Sequence, residues 1–195
     1  MEKPTIYLPP TLELKIDLSD EQFWQLCHNN DDLRFEKTAT GELIIMSPTG
    51  GSTSKRNADL NYQLQAWNRQ KNLGEVFDSN GGFQLPNGAK RAPDSAWVSR
   101  QRWDALTPEE QDKFVPLCPD FVVELMSTSD SLEKTQNKMA EYIKNGAKLG
   151  WLINRRKKQI EIYRPNQEVE ILSNPQTLSG ENILPEFVLD LTTIW

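Results

Sequence analysis

Phe121-Val122-Val123-Glu124-Leu125-Met126 is a run of β-branched and aliphatic residues with no turn former, which predicts a central strand buried on both faces. Glu124 is the exception inside it. A carboxylate taken out of water costs several kcal/mol or gives up its charge, so it needs a cation, a metal or hydrogen-bond donors beside it. The strand alone leaves two readings open: a functional site, or a structural ion pair with an Arg or Lys. Side chains alternate along a strand, so Val122, Glu124 and Met126 share one face, joined at its start by Asp120.

Downstream, Ser127-Thr128-Ser129-Asp130 turns the chain into the clearest helix of the sequence, with Asp130 and Glu133 expected to cap it and Asn145-Gly146 to stop it. At about 100° per residue, Leu132, Met139 and Ile143 define its buried stripe; Lys138 and Tyr142 lie together at one border, while Lys134 points away. A second apolar strand follows at residues 149–153. Strand, helix and strand at this spacing make a crossover, so the two strands are expected to be parallel neighbours. Arg155-Arg156-Lys157-Lys158 reads as a charged turn, residues 160–163 and 169–172 as edge-like strands, and residues 184–195 as an apolar tail covering the core.

Upstream, residues 95–99 form a strand entered through Arg91-Ala92-Pro93-Asp94, preceded by strands at 75–78 and 82–85 in a meander. Before these, a helix from about Ser54 carries Leu60, Leu64 and Trp67 on one stripe, with Gly74 expected to terminate it. Ser47-Pro48-Thr49-Gly50-Gly51 breaks the chain ahead of that helix. Residues 33–37 and 42–46 form an N-terminal hairpin around Thr38-Ala39-Thr40-Gly41, and Ser19 with Gln22 makes a capping box after a Pro-rich start. Thr107-Pro108-Glu109-Glu110 starts another capped helix. It belongs to a polar excursion over residues 100–117, read as a surface insertion.

A chain of 195 residues suits one domain with a real core, here residues 1–195 with a helical extension over 1–32. With 26% charged and 37% apolar residues it is neither disordered nor fibrous. No stretch approaches the roughly 18 apolar residues of a membrane span, and the start lacks a signal-peptide pattern, so a soluble, cytoplasmic protein with no membrane partner is expected. Cys27 and Cys118 are read as free thiols. His28 is the only histidine, which excludes His-based zinc sites and the Ser-His-Asp triad and leaves carboxylates, lysines and hydroxyls for chemistry. A net charge of −6 argues against sequence-blind nucleic-acid binding through charge alone, although a local basic face is compatible with it.

Asp94 and Glu124 are therefore the candidate pair. Two carboxylates converging from neighbouring strands can hold a hard cation such as magnesium, which lowers the pKa of a bound water and steadies a phosphate under attack. A lysine from the crossover helix could position or deprotonate that water, or offset charge developing on the phosphate, and Lys138 is the best placed.

Pro93-Asp94, the segment Pro-Asp-Phe-Val-Val-Glu-Leu-Met-Ser around Glu124, Lys138 four residues before Tyr142, and Gly146 with Gly150-Trp151-Leu152-Ile153 resemble the PD-(D/E)xK nuclease superfamily, and more closely its Uma-two-type branch of restriction-endonuclease-like proteins. The resemblance implies an α/β (α+β) restriction-endonuclease-like core, a central mixed sheet flanked by helices. It also implies magnesium-dependent (or manganese-dependent) cleavage of DNA, and homodimers. Asp94 matches the metal-binding aspartate and Glu124 the acidic residue of the second half-motif. Met126 stands where the superfamily has its lysine, and Lys138 matches the position from which this branch supplies it. Asp120 in the second Pro-Asp pair is ranked as a helper or structural residue, and the helix from Ser54 lacks a histidine common in the branch. Tyr142 is assigned to packing, and Trp67, Trp97, Trp151 and Trp195 to the core or an interface; Glu36 and Glu42 on the hairpin could approach the site but are left out of it, because solvent-facing strand glutamates are common. A catalytically silent fold relative, acting as a DNA-binding or protein-interaction module, is the alternative of a different class.

Overall fold

The computed structural model describes residues 11–46 and 49–195. The predicted break at Ser47-Pro48 and most of the Pro-rich start lie outside them. In chain order the elements are β1 (Thr11–Lys15), α1 (Asp20–His28), β2 (Arg34–Lys37), β3 (Glu42–Met46), α2 (Gly51–Lys71), β4 (Gly74–Asp78), β5 (Phe83–Gln84), β6 (Lys90–Arg91), β7 (Ser95–Ser99), α3 (Arg100–Trp103) and α4 (Pro108–Gln111). They continue with β8 (Phe121–Leu125), α5 (Leu132–Lys144), β9 (Leu149–Asn154), β10 (Gln159–Tyr163), β11 (Glu170–Ser173), β12 (Thr177–Ser179) and β13 (Val188–Asp190).

The central sheet runs β11-β10-β9-β8-β7-β4. β8 and β9 pair in parallel through the α5 crossover and every other pairing in it is antiparallel, so it is the expected mixed sheet. All five residues of β8 are buried. Its odd-numbered side chains, Phe121, Val123 and Leu125, pack with Trp151 and Ile153 beneath Leu60, Leu64 and Trp67 of α2 and beneath the apolar C-terminal tail. Val122 and Met126 point the other way, into a core shared with Met139 and Tyr142 of α5. Helices thus cover both faces, and Glu124 belongs to the α5 face. Among the described residues no helix is long and apolar enough to cross a membrane.

A second sheet, β1-β3-β2-β6-β5, places the predicted hairpin beside the central one. Here the sequence reading needs correction. Residues 75–78, 82–85 and 95–99 do not form a meander: β4 pairs directly with β7, while β5 leaves to pair with β6. Two-residue strands carry too little pattern to choose a sheet. The alternating Thr11-Leu12-Glu13-Leu14-Lys15 is also a strand, paired with β3, where only a Pro-rich start was expected. The first turn of α5 is capped by Ser131, not Asp130, whose carboxylate instead accepts from the Ser127 amide. Residues 100–117 send Phe114 onto Phe23, and Val115 exchanges backbone hydrogen bonds with Gly82 and Gln84.

Gly74 does not end α2. Asn72 takes the left-handed cap at φ 53°, and Gly74 opens β4 because a Cβ there would meet the Val98 carbonyl oxygen and the Trp97 ring. Neither neighbour is the loose end of a flexible side chain. Gly74→Ala should therefore lower stability by about 3 kcal/mol, the upper range for forcing extra volume into a packed site. Urea unfolding should show a lower midpoint with an unchanged slope; an unaltered midpoint would contradict this account.

Candidate functional site

A cleft of about 970 Å³ opens between the hairpin sheet and the layer made by β8, α5 and the first turn of α2. Asp94 and Glu124 both line it, as do Glu36, Arg91 and Lys138. The β7–β8 register explains the first pair. Ser95 lies opposite Val123 and Ala96 opposite Val122, so one further step sets Asp94 opposite Glu124 on the same face.

Asp94 is fixed at both oxygens. Oδ1 accepts from Asn57 Nδ2 at 2.9 Å and Oδ2 from the Leu125 amide at 2.8 Å, while Asn61 Nδ2 holds its backbone carbonyl at 3.1 Å. Burial pushes its pKa up, against the Leu125 amide and the positive charges of Lys138 and Arg34. Glu124 is 8% exposed. Its Oε1 receives Lys138 Nζ at 2.8 Å and the Tyr142 hydroxyl at 3.1 Å, leaving Oε2 without a protein donor among the described residues.

Lys138 is shared. Its Nζ also lies 2.7 Å from Glu36 Oε1, and Glu36 in turn meets Arg91 Nη1 at 3.0 Å and the Ala92 amide at 3.1 Å. Arg91 closes the chain on Glu141 at 2.6 Å. Burial alone would lower the Lys138 pKa, but Glu124 and Glu36 outweigh it and hold the amine protonated. Glu36 runs the same way: burial opposes its charge, yet Lys138 and Arg91 leave its pKa below the ordinary glutamate value.

Counted as ions, the cluster sets four carboxylates (Glu36, Asp94, Glu124, Glu141) against three cations (Lys138, Arg91, and Arg34, whose charge acts on Asp94), a surplus of one negative charge. The surplus falls on Glu124. Burial, then the charges of Asp94 and Glu36, raise its pKa from 4.5 to about 7 despite Lys138. A divalent cation would relieve that surplus and take the place of the Glu124 proton, and the donors on offer are hard oxygens with an open Oε2, which fits magnesium or manganese. Among the described residues no group of three or more His, Cys, Asp or Glu is arranged to hold a metal. The fit is therefore to a cation bound by two carboxylates and completed by water, the usual habit of magnesium.

The proton on Glu124 sets a pH dependence. In the metal-free protein, folding keeps this proton between pH 4.5 and about 7 whereas the unfolded chain releases it, so the Glu124 contribution to stability falls as pH rises through that window. A cation must displace the same proton. Apparent manganese affinity should then climb as pH rises to about 7 and level off above it, measured by calorimetry across a pH series; a flat profile would contradict the assignment.

The structure brings Asp94, Glu124 and Lys138 to one cleft, with Lys138 reaching Glu124 from α5 where Met126 withholds a lysine. Asp120 sits at the far end of β8, where its carboxylate accepts from the Ser99 amide at 2.9 Å and meets Lys148 at 2.8 Å and Arg102 at 3.1 Å. Four participants were missed, among them Arg91, which bridges Glu36 and Glu141. Glu36, set aside as solvent-facing, is 3% exposed, because Phe35 and Glu36 are both covered and alternation along β2 carries no signal. Tyr142, assigned to packing, is buried but also donates to Glu124; its place one turn after Lys138 was the available clue. Asn57 occupies the helix from which the branch's histidine is absent, and it bonds Asp94.

A family model described as "Uma2: Putative restriction endonuclease" matches residues 20–192. A solved structure, described as a putative nuclease belonging to DUF820 from Anabaena variabilis, superposes with a TM-score of 0.68 at 20% identity, covering 82% of this chain and 88% of that one. At that identity the likeness speaks for the fold. No curated protein matches the chain.

Proposed function

The chain belongs to the Uma2 putative restriction endonuclease family, and on that premise we propose that it is a magnesium-dependent endonuclease hydrolysing DNA phosphodiester bonds. The observation that carries this reading is the convergence of Asp94 and Glu124, the latter with an open Oε2, beside a protonated Lys138 inside an open cleft.

Asp94 and Glu124 would hold the cation, which when bound would supply an acidified water and a counter-charge for the phosphate. The Leu125 amide and Asn57 fix the direction of the Asp94 carboxylate. Tyr142 and Lys138 occupy Glu124 Oε1 and so present Oε2. Because its carboxylate neighbours keep Lys138 charged, it acts as a cation and not as a base: its ammonium orients the attacking water and offsets charge gathering on the phosphate oxygens. Glu36 and Arg91 hold Lys138 in register with Glu124. A homodimer belongs to the same reading, and sedimentation equilibrium tests it.

Incubating the protein with plasmid and oligonucleotide DNA tests the function. Cleavage should require magnesium or manganese and stop with chelator. Binding without cleavage under every metal condition would favour the silent DNA-binding module, a reading to which Met126 in the lysine position lends support.

A further inference from the structure

Five cations line the cleft: Arg34, Arg91, Lys134, Lys138 and Arg155. Arg91 and Lys138 are tied to buried carboxylates and Lys134 is matched by Glu13. Arg34 donates to the Ser79 carbonyl, and its charge acts on Asp94. Arg155, like Arg34, makes no ion pair among the described residues, and of the two it is the one held at the Glu124 strand: Nε donates to the Met126 carbonyl at 3.4 Å and Nη2 to Thr53 Oγ1 at 3.2 Å, both neutral, while Nη1 has no partner.

The guanidinium is thus oriented by two groups that do nothing for its charge. Burial weakens its protonated form, the neighbouring Arg56 repels it, and Asp130 offsets this only in part. Arg56 gives no relief, since it is itself a cation held by oxygens of Ile194, Trp195 and Ser52. An arginine placed in a cleft with a free edge and another arginine beside it is a seat for an anion with paired oxygens.

Its position specifies which anion. Met126, which anchors Nε, is two residues past Glu124, about 7 Å along an extended strand. DNA rises about 3.4 Å per nucleotide. Resting on the nuclease reading above, we propose that Arg155, steadied by Thr53, binds a backbone phosphate of the DNA strand one or two nucleotides from the phosphodiester held at Asp94 and Glu124. The Arg155-Arg156-Lys157-Lys158 turn, read from sequence as a charged hairpin, thereby contributes one strand contact. A phosphate contact fixes the strand and reads no bases.

Anisotropy of a labelled DNA oligonucleotide on Asp94→Asn protein, which holds the strand without cutting it, tests this across a salt series. Arg155→Ala in that background should weaken binding and reduce the slope of log K against log salt by about one. Arg155→Lys, which keeps the charge, should keep the slope, as should Lys134→Ala, whose charge Glu13 already matches. In the active protein Arg155→Ala should raise KM and spare kcat. An Arg155→Ala slope equal to that of its parent overturns this inference and leaves the nuclease reading standing. No DNA binding by the parent overturns both.

Discussion

Asp94→Asn should abolish metal-dependent cleavage while the protein stays folded. Asn keeps the shape and one carbonyl oxygen, so the Leu125 amide or Asn57 can still be met, and it removes a buried charge whose pKa is already pushed up by burial. Stability should therefore change by no more than about 1 kcal/mol, a hydrogen bond's worth. The cation loses one of its two carboxylates, and the several kcal/mol of charge stabilisation that a metal brings to a phosphoryl centre go with it, a loss on the order of 10³-fold in rate. Plasmid nicking beside thermal unfolding reads both quantities. Near-normal nicking by a folded Asp94→Asn protein would remove Asp94 from the site.

Lys138→Met is the second large effect. Methionine keeps most of the stem and deletes the ammonium that lies 2.8 Å from Glu124, 2.7 Å from Glu36 and over the Tyr142 ring. Losing one preorganised cation at a developing charge costs about 10² to 10³ in kcat, with KM nearly unchanged. Lys138 is also the strongest influence holding the Glu124 pKa down, so the rise of activity with pH should move upward from about 7. An unshifted profile with full kcat would show that Lys138 is structural. Glu36→Gln provides a check: it keeps an acceptor oxygen for Lys138 but removes one of the two negative charges that hold it, and should fall between Lys138→Met and wild type.

Much of this was legible in the chain. The apolar run 121–126 with one carboxylate, the Pro93-Asp94 strand start and the helix that follows β8 each announced themselves through periodicity or a turn former, and all three stand where expected in the fold. The reach of Lys138 was legible for the same reason: helical geometry puts it one turn from Tyr142, on the border of the buried stripe. What stayed hidden depends on contacts between distant segments. Glu36 comes from the hairpin 102 residues before Lys138, and no local pattern marks a strand covered on both sides. Gly74 looked like a helix stop because glycine often is one; only the Trp97 ring and Val98 carbonyl show that its small size is needed for a close approach. β5 and β6, two residues each, could be assigned to a sheet only once their partners were known.

If Asp94 and Glu124 together bind one divalent cation, manganese titration by calorimetry will show it. At a pH above 7 the wild-type protein should bind one equivalent, while Asp94→Asn and Glu124→Gln, both folded by thermal melt, should lose that binding. Equal titrations for wild type and both variants, whether one equivalent or none, would contradict the account.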